Sequence, residues 1–492
     1  MDTTFGAFRE RLAYLALSAA VKGADLGFQV PPVRNFFLNR LLERLDQSHD
    51  QCEDDRAKLT HDRWFARHLR PFLDRLLRER PAAARAILRF IAAWSYDVYR
   101  RTEAYTGGAA TPCTVVIEPT DRCNLNCPGC YARSTREGCD IPYEQVERIV
   151  EQVIDMGVTL VTISGGEPFL REKADRTLTR LAERFPDRGF LVYTNGTLID
   201  EVIADRLAQV GNIFPALSVE GFEHQTDARR GRGIYDRNRR SRRLLAERGV
   251  MCGFSATVTR ENCESICSDA FIEMRIDEGD MFGWFFLLMP IGRSPRPDLM
   301  VTADQRALLR ETVYRWREEN RPIFLGDFWN DGPLVGGCIA GGRYYFHIYA
   351  NGDISPCVFA PVACGNIFDI IRGESEYASL DDFVQRHPVF RGFREEQRKI
   401  TDRARPCVLV DHPEVFRRVA RLPGCRPAKN MAEGFLDGEI ARHIDATARA
   451  WADRVPHLPP LPAAVGRNSN GLKALLAAPG RVRRVKSGIL GA

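Results

Sequence analysis

The chain has 492 residues, of which 44% are hydrophobic and 27% charged, a composition typical of globular proteins and sufficient for two to four domains. Its formal net charge of +5 is small for this length and does not predict nucleic acid as the main partner. We find no secretory signal and no run of about 18 apolar residues, which predicts a cytoplasmic location.

The first 110 residues are expected to form an α-helical N-terminal region. Apolar residues recur there at helical spacing, as at Phe8 and Leu12 and again at Leu69 and Phe72. Helices with one apolar face usually bury it, so residues 1–110 are predicted to pack on the rest of the protein. Peripheral contact with a membrane surface through these helices is the alternative, because arginines flank the apolar positions.

Residues 111–325 show alternating strand and helix patterns. The predicted strand and helix pairs are 115–118 with 143–156, 160–164 with 173–185, 190–193 with 199–209, 213–219 with 236–248, 251–258 with 266–276, and 284–289 with 303–320. Six such units in series predict an α/β fold, a partial (β/α)6 TIM-like barrel with parallel strands inside and helices outside. In these folds the active groups lie at the C-terminal ends of the strands.

Beyond residue 325 the series of strand and helix units stops. Residues 344–349 and 353–359 read as two strands, and Asn351 and Gly352 between them predict a tight β-hairpin. We expect residues 326–430 to form a small α+β domain that contains cysteines. Residues 431–492 are expected to form a helical and basic tail.

Three cysteines follow the first predicted strand with the spacing C-x3-C-x2-C: Cys123, Cys127 and Cys130. Thiolates at this spacing suit an iron–sulfur cluster or a zinc ion. A closed zinc site would need a fourth ligand, for which Cys139 has a suitable spacing. Three ligands on a four-iron cluster would instead leave one iron open to a small molecule.

This motif resembles that of the radical S-adenosylmethionine (SAM) superfamily, and the resemblance covers roughly residues 113–295. Gly165, Gly166, Glu167 and Pro168 end the second strand, where the family carries a GGEP segment that binds the methionine amino group. The resemblance implies an enzyme that reductively cleaves SAM at a 4Fe-4S cluster to a 5′-deoxyadenosyl radical, which abstracts hydrogen from a substrate. It also implies an external electron donor such as ferredoxin or flavodoxin.

Four further residues are expected to bind SAM because they match family positions. Asn195 ends the third strand, Ser218 ends the fourth and Ser255 lies on the fifth, where the family approaches methionine and ribose. Tyr131 follows the last cysteine of the motif, where the family has an aromatic residue against adenine. An ordinary turn, polar strand ends and core packing are the alternative explanations for these residues.

A second set of cysteines begins with Cys338 and Cys357, which belong to the pattern C-x13-G-x4-C. The pattern is similar to the opening half of the SPASM/twitch auxiliary-cluster domain, which often follows a radical SAM barrel. The dense cysteine block of a complete SPASM domain is missing, so we expect one auxiliary iron–sulfur cluster. Its expected ligands are Cys338, Cys357 and Cys407, with Cys364 or Cys425 as the fourth. A hairpin with buried free thiols is the alternative.

Three polar residues near the expected mouth of the barrel are the predicted catalytic residues: Asp327, Asp331 and His347. The first two belong to segment 324–332, which is dense in polar and aromatic side chains and precedes Cys338. Each of the three residues is also of a type that caps turns or fills interfaces.

Two hypotheses concern the substrate. The first is a small molecule or a lipid-like compound, in keeping with an apolar N-terminal region. The second is a ribosomally made peptide or protein, since enzymes with auxiliary-cluster domains often modify such substrates. The N-terminal region lacks the strands of a winged-helix peptide-recognition module, which weighs against the second hypothesis. A non-catalytic iron–sulfur scaffold is a third class, against which the complete cofactor signature argues.

Overall fold

The computed structural model describes residues 56–84, 86–87 and 107–459, so the predictions for 1–55 and for most of the tail lie outside the described residues. The strands are β1 Thr114–Ile117, β2 Leu160–Ile163, β3 Gly189–Thr194, β4 Ile213–Val219, β5 Gly253–Val258, β6 Phe282–Leu287, β7 Phe324–Asp327, β8 His347–Ile348, β9 Asp353–Ser355, β10 Val362–Ala363, β11 Gly365–Asn366 and β12 Arg426–Pro427. The α-helices are α1 Arg56–Glu79, α2 Tyr143–Asp155, α3 Phe169–Asp175, α4 Thr177–Arg184, α5 Glu201–Val210, α6 Glu223–Arg230, α7 Ile234–Glu247, α8 Cys263–Ile266, α9 Asp269–Asp277, α10 Ala303–Glu318, α11 Gly332–Val335, α12 Ile367–Arg372, α13 Leu380–Arg386, α14 Pro388–Lys399, α15 Pro413–Val419 and α16 Glu439–Arg454.

The predicted parallel sheet is confirmed, because β1 to β6 pair in chain order and in parallel. A seventh parallel strand, β7, pairs with β6, where the sequence analysis placed only a connecting segment. The six-unit prediction was therefore one strand short. β7 has four residues and contains Gly326, where a Cβ would lie 2.5 Å from the Trp284 ring. A strand this short with a glycine in it gives a weak periodic signal.

The predicted hairpin is present but shorter than expected, with β8 antiparallel to β9. Gly352 closes the turn with a φ of 84°, a conformation that glycine adopts without strain. β8 also pairs in parallel with β1, so the hairpin extends the barrel sheet past its first strand. Cys357, which follows β9, is therefore held by the same sheet as the first cysteine motif.

α1 packs against one face of the barrel sheet. Successive residues of β3 point to opposite sides: Phe190 packs in the main core, whereas Leu191 belongs to a second cluster with α1. The buried residues that α1 contributes to this second cluster are Phe72, Leu73, Leu76 and Leu77. Arg75 donates hydrogen bonds to the carbonyl oxygens of Asp280 and Pro322, just before β6 and β7. The apolar side chains of α1 from Phe72 to Leu77 are thus covered by the barrel. Among the described residues no helix is long and apolar enough to cross a bilayer.

The described part of the C-terminal tail is helical. α16 packs on α10, and the Arg306 guanidinium lies 4.2 Å from the centre of the Trp451 ring. Arg306 also forms a buried ion pair with Asp411, at 2.5 Å. The helix packing and the contact with Trp451 hold the described part of the tail against α10.

Replacing Leu73 by Ala tests the packing of α1. Leu73 is fully buried, so the loss of its side chain should lower the free energy of unfolding by about 2–5 kcal/mol, measured by urea titration. Val202→Ala is the matched control, because Val202 is 57% exposed and its loss should change stability by less than about 0.5 kcal/mol. Equal stability of the two variants would contradict the burial of α1 in the barrel.

Candidate active site

The loop between β1 and α2 carries the C-x3-C-x2-C motif. Two backbone bridges, Thr120↔Asp140 and Arg122↔Thr135, close the base of this cluster loop. Cys123 donates its backbone N–H to the Thr135 carbonyl oxygen at 2.8 Å, and the Arg122 guanidinium lies 2.8 Å from the Asp140 carboxylate. The loop is therefore folded back on itself at the C-terminal end of β1, where active groups of such barrels lie.

The three thiols of the motif lie near one another. Burial raises the pKa of Cys123 to about 12, and the proximity of Glu167, Cys130 and Cys127 contributes to the rise. Cys139, the fourth ligand of the zinc alternative, is exposed. Within the described ranges no three His, Cys, Asp or Glu side chains converge as ligands of one metal ion do. Three soft thiols fit a four-iron cluster, and metal binding there would release the thiol protons.

The GGEP loop packs directly on the cluster loop. Gly166 donates its N–H to the Thr120 carbonyl oxygen at 2.9 Å, and Glu167 donates its N–H to the Arg122 carbonyl oxygen at 2.8 Å. A Cβ on Gly165 would lie 2.3 Å from the Thr120 oxygen, and one on Gly166 would lie 1.8 Å from the Arg122 oxygen. No other residue type permits this approach of two backbones. The two glycines thus fit the narrow cradle that the resemblance implies for methionine.

The Glu167 carboxylate joins the GGEP loop to the end of β3. It is fully buried and accepts hydrogen bonds from the Thr194 hydroxyl at 2.7 Å and the Asn195 N–H at 2.8 Å. Burial raises the pKa of Glu167, although these hydrogen bonds oppose the rise. The Asn195 side chain donates in turn to Asn124 of the cluster loop at 2.9 Å. Pro168 precedes α3 and completes the loop.

The other predicted SAM-binding residues lie at neighbouring strand ends. Ser218 and Ser255 are opposite each other on β4 and β5, with their hydroxyl oxygens 3.4 Å apart. The Tyr131 hydroxyl lies 2.5 Å from that of Ser164, which precedes the GGEP loop, and burial raises the pKa of Tyr131. The structure therefore brings the sequence-predicted residues together along one edge of the sheet, and their individual roles stay predictions.

Two arginines that the sequence analysis missed lie beside the cluster loop. Arg230 lies 2.6 Å from the buried Glu220 carboxylate, and Arg229 lies 2.8 Å from the same carboxylate. Arg229 also donates to the Gly129 carbonyl oxygen at 3.3 Å. Burial would lower the pKa of Arg230, but Glu220 and the neighbouring Cys127 raise it. The sequence does carry a signal for these arginines: Glu220 follows the end of β4, and the next helix, α6, ends with Arg229 and Arg230.

A clamp from the C-terminal half also holds the cluster loop. Lys429 Nζ lies 2.9 Å from the Glu118 carboxylate and 3.3 Å from that of Asp121. Burial would raise the pKa of Glu118, but Lys429 and His347 lower it to about 2. Asn430 donates its side-chain N–H to the Tyr131 carbonyl oxygen at 3.2 Å. No local spacing predicts these contacts, since Lys429 lies about three hundred residues after Glu118.

His347 lies beside this clamp, whereas the other two predicted catalytic residues lie at the end of β7. His347 is fully buried, with Nε2 3.2 Å from the Glu118 carboxylate. Asp331 forms two hydrogen bonds with the Arg317 guanidinium, at 2.8 and 2.7 Å. Asp327 accepts from Asn330 at 2.8 Å, and burial together with Asp331 raises the pKa of Asp327 to about 6. The catalytic role of all three stays a prediction.

Cys338, Cys357 and Cys407 line one cavity. Burial raises the pKa of all three thiols, and for Cys407 the proximity of Asp411 and the other two thiols contributes to the rise. The Tyr345 hydroxyl lies 2.7 Å from the Cys357 sulfur. The thiol chemistry and the cavity fit an auxiliary cluster. Neither predicted fourth ligand is among the lining residues, because Cys364 and Cys425 contact each other instead.

An aromatic wall connects the two cysteine sets. It consists of Tyr131, Phe286, Phe328, Trp329 and Phe359. Phe359 is at its centre, with ring centroids 5.8 Å from Tyr131, 6.0 Å from Phe286 and 4.9 Å from Trp329. Trp329 and Phe359 also line the cavity of the second set. Packed apolar rings therefore lie between the two candidate cluster sites.

Comparisons with known proteins match these features. Residues 117–266 fit the family model described as the radical SAM superfamily. PqqA peptide cyclase of Granulibacter bethesdensis is 26% identical over 66% of this chain and 85% of that protein. Mycofactocin maturase MftC of Mycobacterium tuberculosis is 28% identical over 74% of this chain and 90% of that protein.

Two further similarities were found. AdoMet-dependent heme synthase of Nitratidesulfovibrio vulgaris is 25% identical over 61% of this chain and 86% of that protein. Among solved structures, Streptococcus suis SuiB bound to S-adenosylmethionine has a TM-score of 0.48 and 21% identity, over 62% of this chain and 73% of that one.

Gly166→Ala tests the contact between the two loops. The added methyl group would meet the Arg122 carbonyl oxygen, so the variant should lose iron after anaerobic reconstitution and bind SAM at least about tenfold more weakly by calorimetry. Gly392→Ala is the control, because a Cβ there meets only the end of the Leu422 side chain. Unchanged iron content and SAM affinity in Gly166→Ala would show that the loops need no such contact.

Proposed function

Because the chain belongs to the radical SAM superfamily, we propose that Cys123, Cys127 and Cys130 hold a 4Fe-4S cluster at the end of β1, next to bound SAM. The cluster and SAM, when bound and reduced by a donor such as ferredoxin or flavodoxin, supply a 5′-deoxyadenosyl radical that takes a hydrogen atom from the substrate. The observation that carries this proposal is the packing of the GGEP loop on the cluster loop. The two glycines approach Thr120 and Arg122, just before Cys123 in the chain, which supports a site for methionine beside the cluster.

The surrounding residues would bind and orient SAM. The carbonyl groups near Gly165 and Gly166 would accept hydrogen bonds from the methionine ammonium group, as the resemblance implies. Arg230 would attract the methionine carboxylate, since it is a mostly buried cation close to Cys127 and Cys130. Tyr131 would lie against adenine, and the hydroxyls of Ser218 and Ser255 would approach the ribose. Burial of these groups excludes water from a reactive site.

We also propose one auxiliary cluster, held by Cys338, Cys357 and Cys407. The three thiols share one cavity, whose mainly apolar lining would keep solvent from the metal. The aromatic wall separates this cavity from the first motif. A substrate bound between the two would therefore meet a cluster on each side. The residues that hold this cluster would thus place an electron acceptor near the substrate radical, which would lose one electron to become a closed-shell product.

For the substrate, we propose an apolar side chain of a peptide. The aromatic wall favours an apolar group over a charged one, because a charge there would lose its hydration without gaining a partner. The name of one relative states that it is a peptide cyclase, and that of another that it is a maturase. A small molecule, the first hypothesis from the sequence, is the second candidate, which the heme synthase relative favours.

Replacing the cysteines of the first motif tests the class of enzyme and the number of clusters together. The dithionite-reduced, anaerobically reconstituted protein should cleave SAM to 5′-deoxyadenosine and methionine. The variant with Cys123, Cys127 and Cys130 all changed to Ala should lose this activity but keep roughly one four-iron cluster of iron. Adding Cys338→Ala and Cys357→Ala should then remove the remaining iron. If the triple variant still cleaves SAM, the assignment of Cys123, Cys127 and Cys130 to the catalytic cluster is refuted. If the triple variant contains no iron, the auxiliary cluster is refuted.

The peptide proposal is tested with synthetic copies of the short peptides encoded beside the gene. With the reduced enzyme and SAM, the correct peptide should increase the release of 5′-deoxyadenosine several-fold and change in mass, measured by mass spectrometry. The triple cysteine variant is the control and should leave every peptide unchanged. If porphyrins or other small apolar molecules react and no peptide does, the second candidate replaces the first.

A further inference from the structure

Two cysteines of the C-terminal half, Cys364 and Cys425, face each other across a short ladder. β10 and β12 pair antiparallel, and Ala363↔Arg426 is the last pair of their register. The next position in this register places Cys364 opposite Cys425, and each thiol shifts the pKa of the other. Opposite residues of an antiparallel ladder have Cα atoms about 4.5–5.5 Å apart. This separation lies within the range that a disulfide spans.

This pair is separate from the thiols assigned to the auxiliary cluster. Those three thiols line one cavity, and neither Cys364 nor Cys425 belongs to its lining. The charged groups that act on the Cys364 thiol are instead Arg426 and Asp353, which form an ion pair with each other. The pair is thus available for chemistry of its own.

The two thiols differ in exposure and acidity. Cys425 is partly exposed, and the neighbouring Cys364 thiol lowers the pKa of Cys425. Cys364 is 6% exposed, and burial raises its pKa. A thiol with a lowered pKa and access to solvent attacks oxidants most readily, and a neighbouring thiol then completes a disulfide. The geometry makes Cys425 the attacking thiol and Cys364 the resolving one.

We propose that Cys364 and Cys425 form a redox modification site, at which a low-molecular-weight disulfide such as oxidised glutathione produces a reversible disulfide within the chain. The Cys425 thiolate attacks one sulfur of oxidised glutathione, forms a mixed disulfide and releases one glutathione thiolate. Cys364 then gives up its proton, attacks the Cys425 sulfur and releases the second glutathione. The protein loses two protons and two electrons, and one glutathione disulfide becomes two glutathione molecules.

The position of the pair connects it to the proposed cofactor site. Cys425 starts the segment 425–430, which runs through β12 to Lys429 and Asn430. Lys429 and Asn430 hold the cluster loop through Glu118 and Tyr131. A disulfide would fix the start of this segment to β10 and close a long loop, which limits the freedom of the unfolded chain. The oxidised protein should therefore resist unfolding better than the reduced protein.

The test uses the intact protein with its reconstituted clusters, kept free of oxygen and equilibrated with defined ratios of oxidised to reduced glutathione. After alkylation of free thiols, mass spectrometry of the peptides should show a Cys364–Cys425 cross-link whose amount rises with that ratio and reverses on reduction. The melting temperature should rise in parallel. Cys263 and Cys267 are an internal control, because their sulfurs lie 3.9 Å apart but both residues are buried. They should stay reduced.

Two serine variants test the assignment of roles. In Cys364→Ser, Cys425 should accumulate a mixed disulfide with glutathione, because the resolving thiol is missing. In Cys425→Ser, Cys364 should remain free, and neither variant should show the rise in melting temperature. An adduct on Cys364 in the absence of Cys425 would refute the order of attack.

The same measurements distinguish this proposal from a ligand role. If both cysteines of the wild-type protein stay free at every glutathione ratio, the proposal is overturned without need of any variant. If Cys425→Ser or Cys364→Ser lowers the iron content of the Cys123, Cys127 and Cys130 triple variant, the residue concerned is a ligand of the auxiliary cluster, and the proposal is again overturned. Unchanged iron content together with the cross-link supports it.

Discussion

Two backbones meet without side chains between them where residues 165–167 pack on residues 120–122, and the rest of the site depends on this contact. The carbonyl groups of Thr120 and Arg122 accept hydrogen bonds from the GGEP loop, which leaves no space for a Cβ on Gly166. The contact fixes the C-terminal ends of β1 and β2 relative to each other. Glu167 then extends the connection to β3, so that three adjacent strand ends form one rigid edge beside the thiols.

The C-terminal half stabilises the same edge from the other side. β8 adds to β1 in parallel, and Lys429 supplies the positive charge that keeps Glu118 ionised when it is buried. An unpaired carboxylate at that depth would be costly, so Glu118 and Lys429 depend on each other. Because the hairpin that carries Cys357 and the strand that leads to Cys123 belong to one sheet, the two candidate clusters have a fixed separation. Such a fixed separation suits electron transfer between a substrate and two metal centres.

Apolar side chains fill the face of the sheet that α1 covers. The aromatic wall lies closer to the thiols. Leu73 and its neighbours on α1 belong to the cluster on that face. Tyr131, Phe286 and Phe359 of the aromatic wall lie near the thiols. A substrate group that reaches this region would exchange water for aromatic surface, which favours apolar groups. The same surroundings would shield a radical from solvent.

The sequence by itself determined the parallel strands, the hairpin turn, the class of enzyme and the spacing of the C-x3-C-x2-C and C-x13-G-x4-C motifs, because these features rest on short-range patterns. A strand period, a C-x3-C-x2-C motif and an Asn–Gly turn are all complete within a few residues. The tertiary structure decided that β7 joins the sheet, that α1 packs against it, that Arg230 and Lys429 reach the cluster loop, and that Cys364 faces Cys425 rather than the auxiliary cavity. These contacts join residues that lie tens to hundreds of positions apart in the chain. Which residues meet is decided only in the folded protein, where buried polar groups need hydrogen bonds and buried charges need partners.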